Sequence, residues 1–477
     1  MFKLKFSDEA YPYEIYHLVK AFFPGEEVLQ EVDSSFESLM EIERDGEEIL
    51  VLQKEDLALC PDKRQKKLEA SRRLYRILEK EAGRPLAWGI LMGIRPTKLF
   101  MGALEEGRSD SDILLSAKEK YLVGEEKAAL GLDIAKREKE ILKDVDYENG
   151  YSLYVGIPFC PSICIYCSFS SSPLAANRKL VAPYLAALKK EIRTVGKNMA
   201  GKKLNTIYVG GGTPTSLTAE EMDDLLSEIE RSFCLKDLLE YTVEAGRPDS
   251  ITTEKLQAIR RHPVTRISIN PQTMQDATLK KVGRLHNAED VRRIYKEARA
   301  LGFNNINMDL ICGLPGEGPL EMAETLKDIK ALNPDNLTVH SLAIKRASKL
   351  RGMAEYNLSG DDALKKSLEV EEMIAMAYKA AYDMGMKPYY LYRQKNIAGN
   401  FENAGFAKVD KAGIYNILIM EEKQSIAALG AGATTKAVRP DLDPDRPIMR
   451  SENVKDVREY IKRIDEMIER KGELLWH

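Results

Sequence analysis

Cys160, Cys164 and Cys167 are the residues whose type and spacing promise chemistry, because three of the chain's six cysteines fall within eight consecutive positions. They follow Gly156-Ile157-Pro158-Phe159, and their Cys-x3-Cys-x2-Cys spacing closes a short loop that can turn three sulfurs inward. Three thiolates suit a [4Fe–4S] cube with one iron left without a protein ligand. An open coordination position of that kind is what a catalytic metal site requires. Two other readings compete. Three separate buried cysteines behave as small hydrophobes, and a zinc knuckle needs a fourth ligand. The histidines are His17, His262, His286, His340 and His477, none of them beside the cluster. Cys60, Cys234 and Cys312 are dispersed and read as ordinary cysteines, and so few in a long chain exclude a disulfide scaffold.

Other polar and glycine features recur with the spacing of a repeated unit. Gly210-Gly211-Gly212-Thr213-Pro214-Thr215 lets a ligand approach the backbone closely and leaves carbonyls free to accept from an ammonium. Glu244, Gln272 and Asp309 follow, the last leading into Cys312-Gly313-Leu314-Pro315-Gly316. They sit toward the C-terminal ends of predicted strands, with strand five continuing through Asp309; the predicted strands are 152–157, 206–210, 240–245, 266–270, 306–311 and 337–342. Predicted helices over 179–197, 219–233, 252–260, 289–301 and 320–332 alternate with them. Six successive β/α units predict an α/β fold, a partial (β/α)6 barrel over residues 149–345, with chemistry at the strand C-terminal ends.

On either side the pattern changes. Residues 1–148 predict an accessory α/β-helical domain, with strands at 2–6, 36–42 and 48–52 and helices at 13–23, 63–81 and 111–145. Its segment Trp88 to Lys98 is rich in turn residues, and Trp88 is expected to pack on the next domain. The basic run Lys63–Lys67 with Arg72, Arg73 and Arg76 reads as the solvated face of an amphipathic helix, with no interleaved aromatics to stack on bases. Residues 346–477 predict a lobe covering the barrel, with a helix at 361–384, strands at 389–392 and 414–420, and a last helix at 454–471.

Cys-x3-Cys-x-Tyr-Cys after a first barrel strand resembles the signature of radical S-adenosylmethionine (SAM) enzymes. Leu153-Tyr154-Val155-Gly156-Ile157-Pro158-Phe159-Cys160, the Gly-Gly-Gly-Thr-Pro-Thr segment and Thr242-Val243-Glu244-Ala245 are similar to the oxygen-independent coproporphyrinogen III dehydrogenase family. So are Gly283-Arg284-Leu285-His286 and Asp309 to Gly316. The Trp88–Lys98 segment, Asn270-Pro271-Gln272, Tyr389 to Asn396 and Asn400 to Gly405 resemble its HemZ-type branch.

The resemblance implies a cluster on Cys160, Cys164 and Cys167 whose unique iron chelates SAM, with Tyr154 and Tyr166 beside it. Reduction of the cluster then cleaves SAM to methionine and a 5′-deoxyadenosyl radical. Gly210, Gly211, Gly212 and Thr213 would contact the SAM amino group, Gln272 and Asp309 its ribose, and Arg284 its carboxylate. Glu244 would lie near its charged end and, with Tyr154, count as catalytic. Two positions depart from the family prototype: Gly156 replaces a histidine, and Phe169 replaces a fourth cysteine.

The implied reaction is oxidative decarboxylation of two propionates of coproporphyrinogen III to vinyls, as in anaerobic haem biosynthesis, with a flavodoxin or ferredoxin as electron donor. A haem-binding chaperone, or another radical SAM reaction on a tetrapyrrole such as anaerobic haem breakdown, is the alternative. A haem carrier could use His340, Cys312 or a methionine as axial ligand. Arg393, Lys395, Lys345 and Arg346 are candidate propionate partners. Composition is consistent with such an enzyme and excludes other classes. The 477 residues are 44% hydrophobic and 31% charged, and 71 basic residues against 75 acidic ones leave a net charge of −4. That balance gives no global field for nucleic acid or anionic lipid. No apolar run reaches the length of a membrane span, and a cytoplasmic protein is expected.

Overall fold

The computed structural model describes the chain except residues 94, 170, 345–347, 357, 359, 394–400, 443–446 and 477. The first unit pairs β1 (Phe2–Phe6), β2 (Val28–Val32), β3 (Met40–Arg44) and β4 (Glu47–Leu52) in the order β2-β1-β3-β4. One face of this sheet is covered by α1 (Pro12–Phe22) and α2 (Lys63–Ala82), whose apolar residues join the alternately buried Phe2, Leu4 and Phe6. Then come α3 (Thr97–Glu105), α4 (Asp110–Tyr121) and α5 (Glu125–Ile141). The single helix expected over 111–145 is two, because Leu122 turns left-handed (φ 56°) and Gly124 starts the second. The break lets the chain pack against Gly89, where a Cβ would lie 2.2 Å from the Tyr121 carbonyl oxygen. The strand β2 and helix α3 were not foreseen, and β3 begins four residues later than the expected 36–42.

The six expected barrel strands are present and parallel: β5 (Gly150–Ile157), β8 (Lys203–Gly211), β9 (Glu240–Gly246), β10 (Arg266–Ile269), β11 (Ile306–Cys312) and β12 (Asn336–Ser341). After β5 come the two-residue strands β6 (Phe159–Cys160) and β7 (Ser172–Pro173), which pair with each other and frame the cysteine loop. The outer layer is α6 (Leu174–Asn198), α7 (Ala219–Ser232), α8 (Thr253–Arg260), α9 (Asp276–Lys281), α10 (Ala288–Ala300) and α11 (Pro319–Leu332). Both faces of the sheet are therefore buried, as a parallel sheet requires.

The C-terminal segment enters the same sheet at both edges. After α12 (Gly360–Asp383), β13 (Lys387–Arg393) and β14 (Glu402–Ala407) add antiparallel beyond β12. At the other edge β15 (Ser425–Leu429) pairs parallel with β5, and β16 (Thr434–Val438) and β17 (Ile448–Glu452) follow antiparallel. Among the described residues the sheet has eleven strands in the order β13-β14-β12-β11-β10-β9-β8-β5-β15-β16-β17. Residues 414–420 are not a strand but the helix α13 (Ile414–Glu421). The reason is tertiary: the buried Glu240 carboxylate accepts from the Ile414 and Tyr415 amides, caps the helix and favours its positive dipole end. Ile417 and Leu418 then pack on Tyr389, Tyr390, Leu142 and Val145. The chain closes with α14 (Val457–Lys462) and α15 (Ile464–Leu475), where one helix was expected. No described helix is long and apolar enough to cross a membrane.

Candidate functional site

Within strands otherwise buried on both faces, a few side chains keep partial exposure: Tyr154 of β5, Tyr208 of β8, Glu244 of β9, Asp309 of β11, His340 of β12 and Tyr392 of β13. Because side chains alternate along a strand, these positions trace the concave inner face. Tyr154 stands directly opposite Tyr208 in the β5–β8 register. Their rings stack at 6.2 Å, and Tyr415 from α13 stacks on Tyr208 at 4.6 Å. Glycines make room beside them. At Gly210 a Cβ would lie 2.7 Å from the Tyr208 ring and 3.0 Å from the Glu244 carboxyl. At Gly156 it would lie 3.2 Å from the Tyr154 ring and 3.3 Å from the Leu429 carbonyl oxygen.

The Tyr208 hydroxyl donates to Glu244 Oε1. Burial pushes the Glu244 carboxyl up to about 7; Asp309 adds to the rise, while Tyr208 and the Gly211 amide oppose it. Burial also raises Asp309, but His340 (3.7 Å), the Asn307 amide (2.7 Å) and Arg266 outweigh it and hold that group below its ordinary value. The inner face therefore carries one carboxyl that is half-protonated near neutrality and one that stays ionised. Below them Arg266, 2% exposed, faces the fields of Glu240 and Tyr208, and its Nε and Nη2 have no hydrogen-bond partner among the described residues.

Above this face lies the cysteine loop. Cys160 and Cys164 are buried and Cys167 half-buried. Thr213 Oγ1 reaches Cys160 Sγ at 3.4 Å, and a Cβ at Gly212 would lie 3.0 Å from the same sulfur, so the glycine run is pressed against the loop. Arg247 holds the loop's other side. Its Nη1 donates to Cys164 Sγ (3.3 Å) and the Ser162 carbonyl (2.7 Å), and its Nη2 donates to Ser162 Oγ (2.9 Å). Asp249 orients the guanidinium through two hydrogen bonds of 3.0 and 2.6 Å. Tyr166 lies between Cys164 and Arg284, its hydroxyl pushed up by burial. Arg284 donates to the carbonyls of Asn270 and Pro271 at 2.5 and 3.4 Å.

The family model for the radical SAM superfamily matches residues 154–329. An oxygen-independent coproporphyrinogen-III oxidase-like protein, HemZ, of Bacillus subtilis is 42% identical over 400 residues, covering 83% of this chain and 78% of its own. The chain is a radical SAM protein of the HemZ type. A haem chaperone, HemW, of the same species is 34% identical over 59% of this chain and 70% of its own. The Escherichia coli coproporphyrinogen III oxidase HemN shares the fold, with a TM-score of 0.53 at 24% identity over 69% of this chain and 71% of its own.

Radical SAM proteins use a [4Fe–4S] cluster and SAM, and the residues present fit both. Gln272 Oε1, Asn270 Oδ1 and Arg284 Nε are buried with no hydrogen-bond partner among the described residues, which is costly unless a polar ligand completes them. Gln272 holds a left-handed backbone (φ 70°), and its amide and carbonyl bond across to Asp309 and Ile311 of β11, which fixes its backbone beside that strand. Among the described residues no three Cys, His, Asp or Glu side chains converge on one metal ion. A cube places one cysteine on each of three separate irons and needs no such convergence.

The sequence candidates thus gather in two adjoining groups. Cys160, Cys164, Cys167, Tyr166, Gly212, Thr213, Gln272 and Arg284 surround the loop, and Tyr154, Gly210, Glu244 and Asp309 line the inner face. Gly211 joins the groups by its backbone, as its amide bonds Glu244. Arg247, Asp249, Tyr208 and Tyr415 were missed as site residues, and His340, named only as a possible haem ligand, sits instead beside Asp309 on the inner face. Arg247 and Asp249 carried a usable signal, being charged residues just past a barrel strand. Arg393, next to Tyr392 on β13, is turned away from the inner face: it is 2% exposed and donates to the Leu91 carbonyl of the N-terminal unit. Lys345, Arg346 and Lys395 lie outside the described residues. Phe169, at the prototype's fourth cysteine, is 74% exposed.

Proposed function

We propose that this protein catalyses the oxidative decarboxylation of coproporphyrinogen III to protoporphyrinogen IX. What supports this reading most is an inner face that pairs Tyr208 with a Glu244 carboxyl titrating near 7, directly below the cysteine loop. When bound, the cluster and SAM would supply the radical chemistry for hydrogen abstraction at a propionate β-carbon. Cys160, Cys164 and Cys167 hold the cluster, Gln272, Asp309 and Arg284 hold SAM, and Gly210 to Thr213 leave backbone room for its amino group. Glu244 presents Oε2 to the bound ligands as a hydrogen-bonding group, while Tyr208 fixes Oε1. The stacked tyrosines, with α13 beneath them, exclude water from the reacting centre. Carbon dioxide leaves, and an external acceptor takes the remaining electron. A small flavodoxin- or ferredoxin-type protein would be the electron donor.

The test is anaerobic incubation of reconstituted protein with SAM, a reductant and coproporphyrinogen III, followed by mass spectrometry. Loss of two CO2 per porphyrinogen is expected. Deoxyadenosine formed without that loss sinks the assignment. The similarity to HemW favours a second reading, haem carriage, which stable haem binding without turnover would select. Cys312 is fully buried and both His340 nitrogens face partners, Asp309 and Tyr392, so neither is ready to ligate haem iron.

A further inference from the structure

The basic face of α2 and the Trp88–Lys98 segment have no part in the barrel chemistry, yet together they enclose a cavity of about 530 Å³ between α2, α3 and α4. That is within the range of about 300–1,000 Å³ usual for small-molecule sites. Its floor is apolar: Leu68, Ile90, Leu91, Leu99, Ile113 and Tyr121. Its rim is cationic, with Arg64, Lys67, Lys98, Arg108 and Lys120 against Glu14, Asp62 and Glu106. Lys67 pairs with Glu14 at 3.2 Å and Lys98 with Glu422 at 3.3 Å. Asp62 is occupied as the N-cap of α2. Among the described residues no carboxylate pairs with Arg64, Arg108 or Lys120.

We infer that this cavity is a second binding site, for an apolar macrocycle bearing several carboxylates: a tetrapyrrole whose ring lies on the aliphatic floor and whose propionates meet Arg64, Arg108 and Lys120. The inference rests on the proposed tetrapyrrole chemistry of the barrel. A phosphate-rich ligand fits the cations but leaves the aliphatic floor uncovered, whereas a fatty chain leaves the cations unmatched. The wall of the cavity is joined to the barrel sheet. The Leu91 carbonyl accepts from Arg393 at the end of β13, and Trp88 Nε1 donates to Glu402 at the start of β14 at 2.8 Å. A ligand pressing on residues 90–91 therefore acts on the two strands at one edge of the catalytic sheet, the arrangement of a loading or product-sensing site.

Full-length protein with its cluster is titrated anaerobically with coproporphyrin III, the fluorescent aromatic tetracarboxylate, and binding is followed by fluorescence. Gly102 of α3 lines the cavity and a Cβ there meets nothing within 4 Å, so Gly102→Phe fills the space from an open position and Gly102→Ala is its control. Arg64→Glu with Lys120→Glu reverses two exposed cations. Wild type and Gly102→Ala are expected to bind two equivalents and Gly102→Phe one. The charge-reversed variant is expected to hold the second equivalent about tenfold more weakly. Iron content and SAM cleavage should not change. Equal stoichiometry and affinity in all four proteins, or displacement of the second equivalent by ATP, overturns the inference. Decarboxylation by a wild type that binds one equivalent removes the cavity site alone. Two equivalents bound without loss of CO2 removes the barrel reaction alone.

Discussion

At the scale of single residues, the site separates groups that hold from groups that titrate. Cys164→Ala should abolish stable cluster binding, read as iron content and the visible absorption of reconstituted protein; an unchanged cluster would refute the ligand set. Arg247→Gln removes an N–H···S hydrogen bond to Cys164, and such bonds make clusters easier to reduce. Its cluster potential should move negative in an anaerobic redox titration, with Arg247→Lys intermediate. Tyr208→Phe removes a hydrogen bond that favours ionised Glu244, so the carboxyl should titrate above its value of about 7. The pH profile of deoxyadenosine formation should shift upward accordingly, and Glu244→Gln should lose that step. The cysteines were legible because their ligand pattern is local in sequence. Tyr208 was not, since in the sequence it is one aromatic in an apolar strand, and only the parallel register brings it against Glu244.

At the scale of elements, the core strands were legible because six apolar, β-branched runs alternate with amphipathic helices. The additions were less so. Residues 414–420 carry isoleucine and tyrosine in a continuous apolar run, which local propensity assigns to a strand, and a distant carboxylate, Glu240, decides otherwise. β15 (Ser-Ile-Ala-Ala-Leu) is a short run whose identity as a strand comes from the open edge of β5. That edge is locked by a buried network. Glu191, fully buried, accepts from Lys471 (2.9 Å), Asn453 (2.9 Å), Tyr460 (2.6 Å) and the Gly430 amide (2.9 Å), tying α6 to the β15–β16 turn and α15. Lys471→Met leaves a buried carboxylate without its counter-ion and should destabilise the fold by about 3 kcal/mol in denaturant unfolding. A loss within experimental error would show that the network does not hold the edge.

At the scale of the whole molecule, the N-terminal unit is fastened to the C-terminal additions by two carboxylates, Glu402 buried and Glu422 half-buried. Glu402 receives Trp88, Lys127 (2.5 Å) and Tyr378 (3.1 Å). Glu422 gathers Arg95 and Lys98 from one side and Lys436 and Arg450 from the other. Burial pushes the Glu422 carboxyl up, but Arg95 and Lys436 more than reverse this and hold it at about 2 against an ordinary 4.5. Its contribution is thus complete above about pH 4.5 and is lost as pH falls through about 2. The Tm difference between wild type and Glu422→Gln should shrink across that window; a constant difference would assign the stability elsewhere.

The partner of β5 at the far edge, β15, lies about 270 residues later in the chain. A ribosome adding roughly 5–20 residues per second needs on the order of 15–55 s to cover that stretch. Throughout that interval the strand that leads into the cysteine loop has one unpaired edge, the kind of exposure that invites wrong pairing. Nascent chains arrested before residue 425 should therefore aggregate or recruit a holding chaperone, and cluster delivery belongs after release rather than during synthesis.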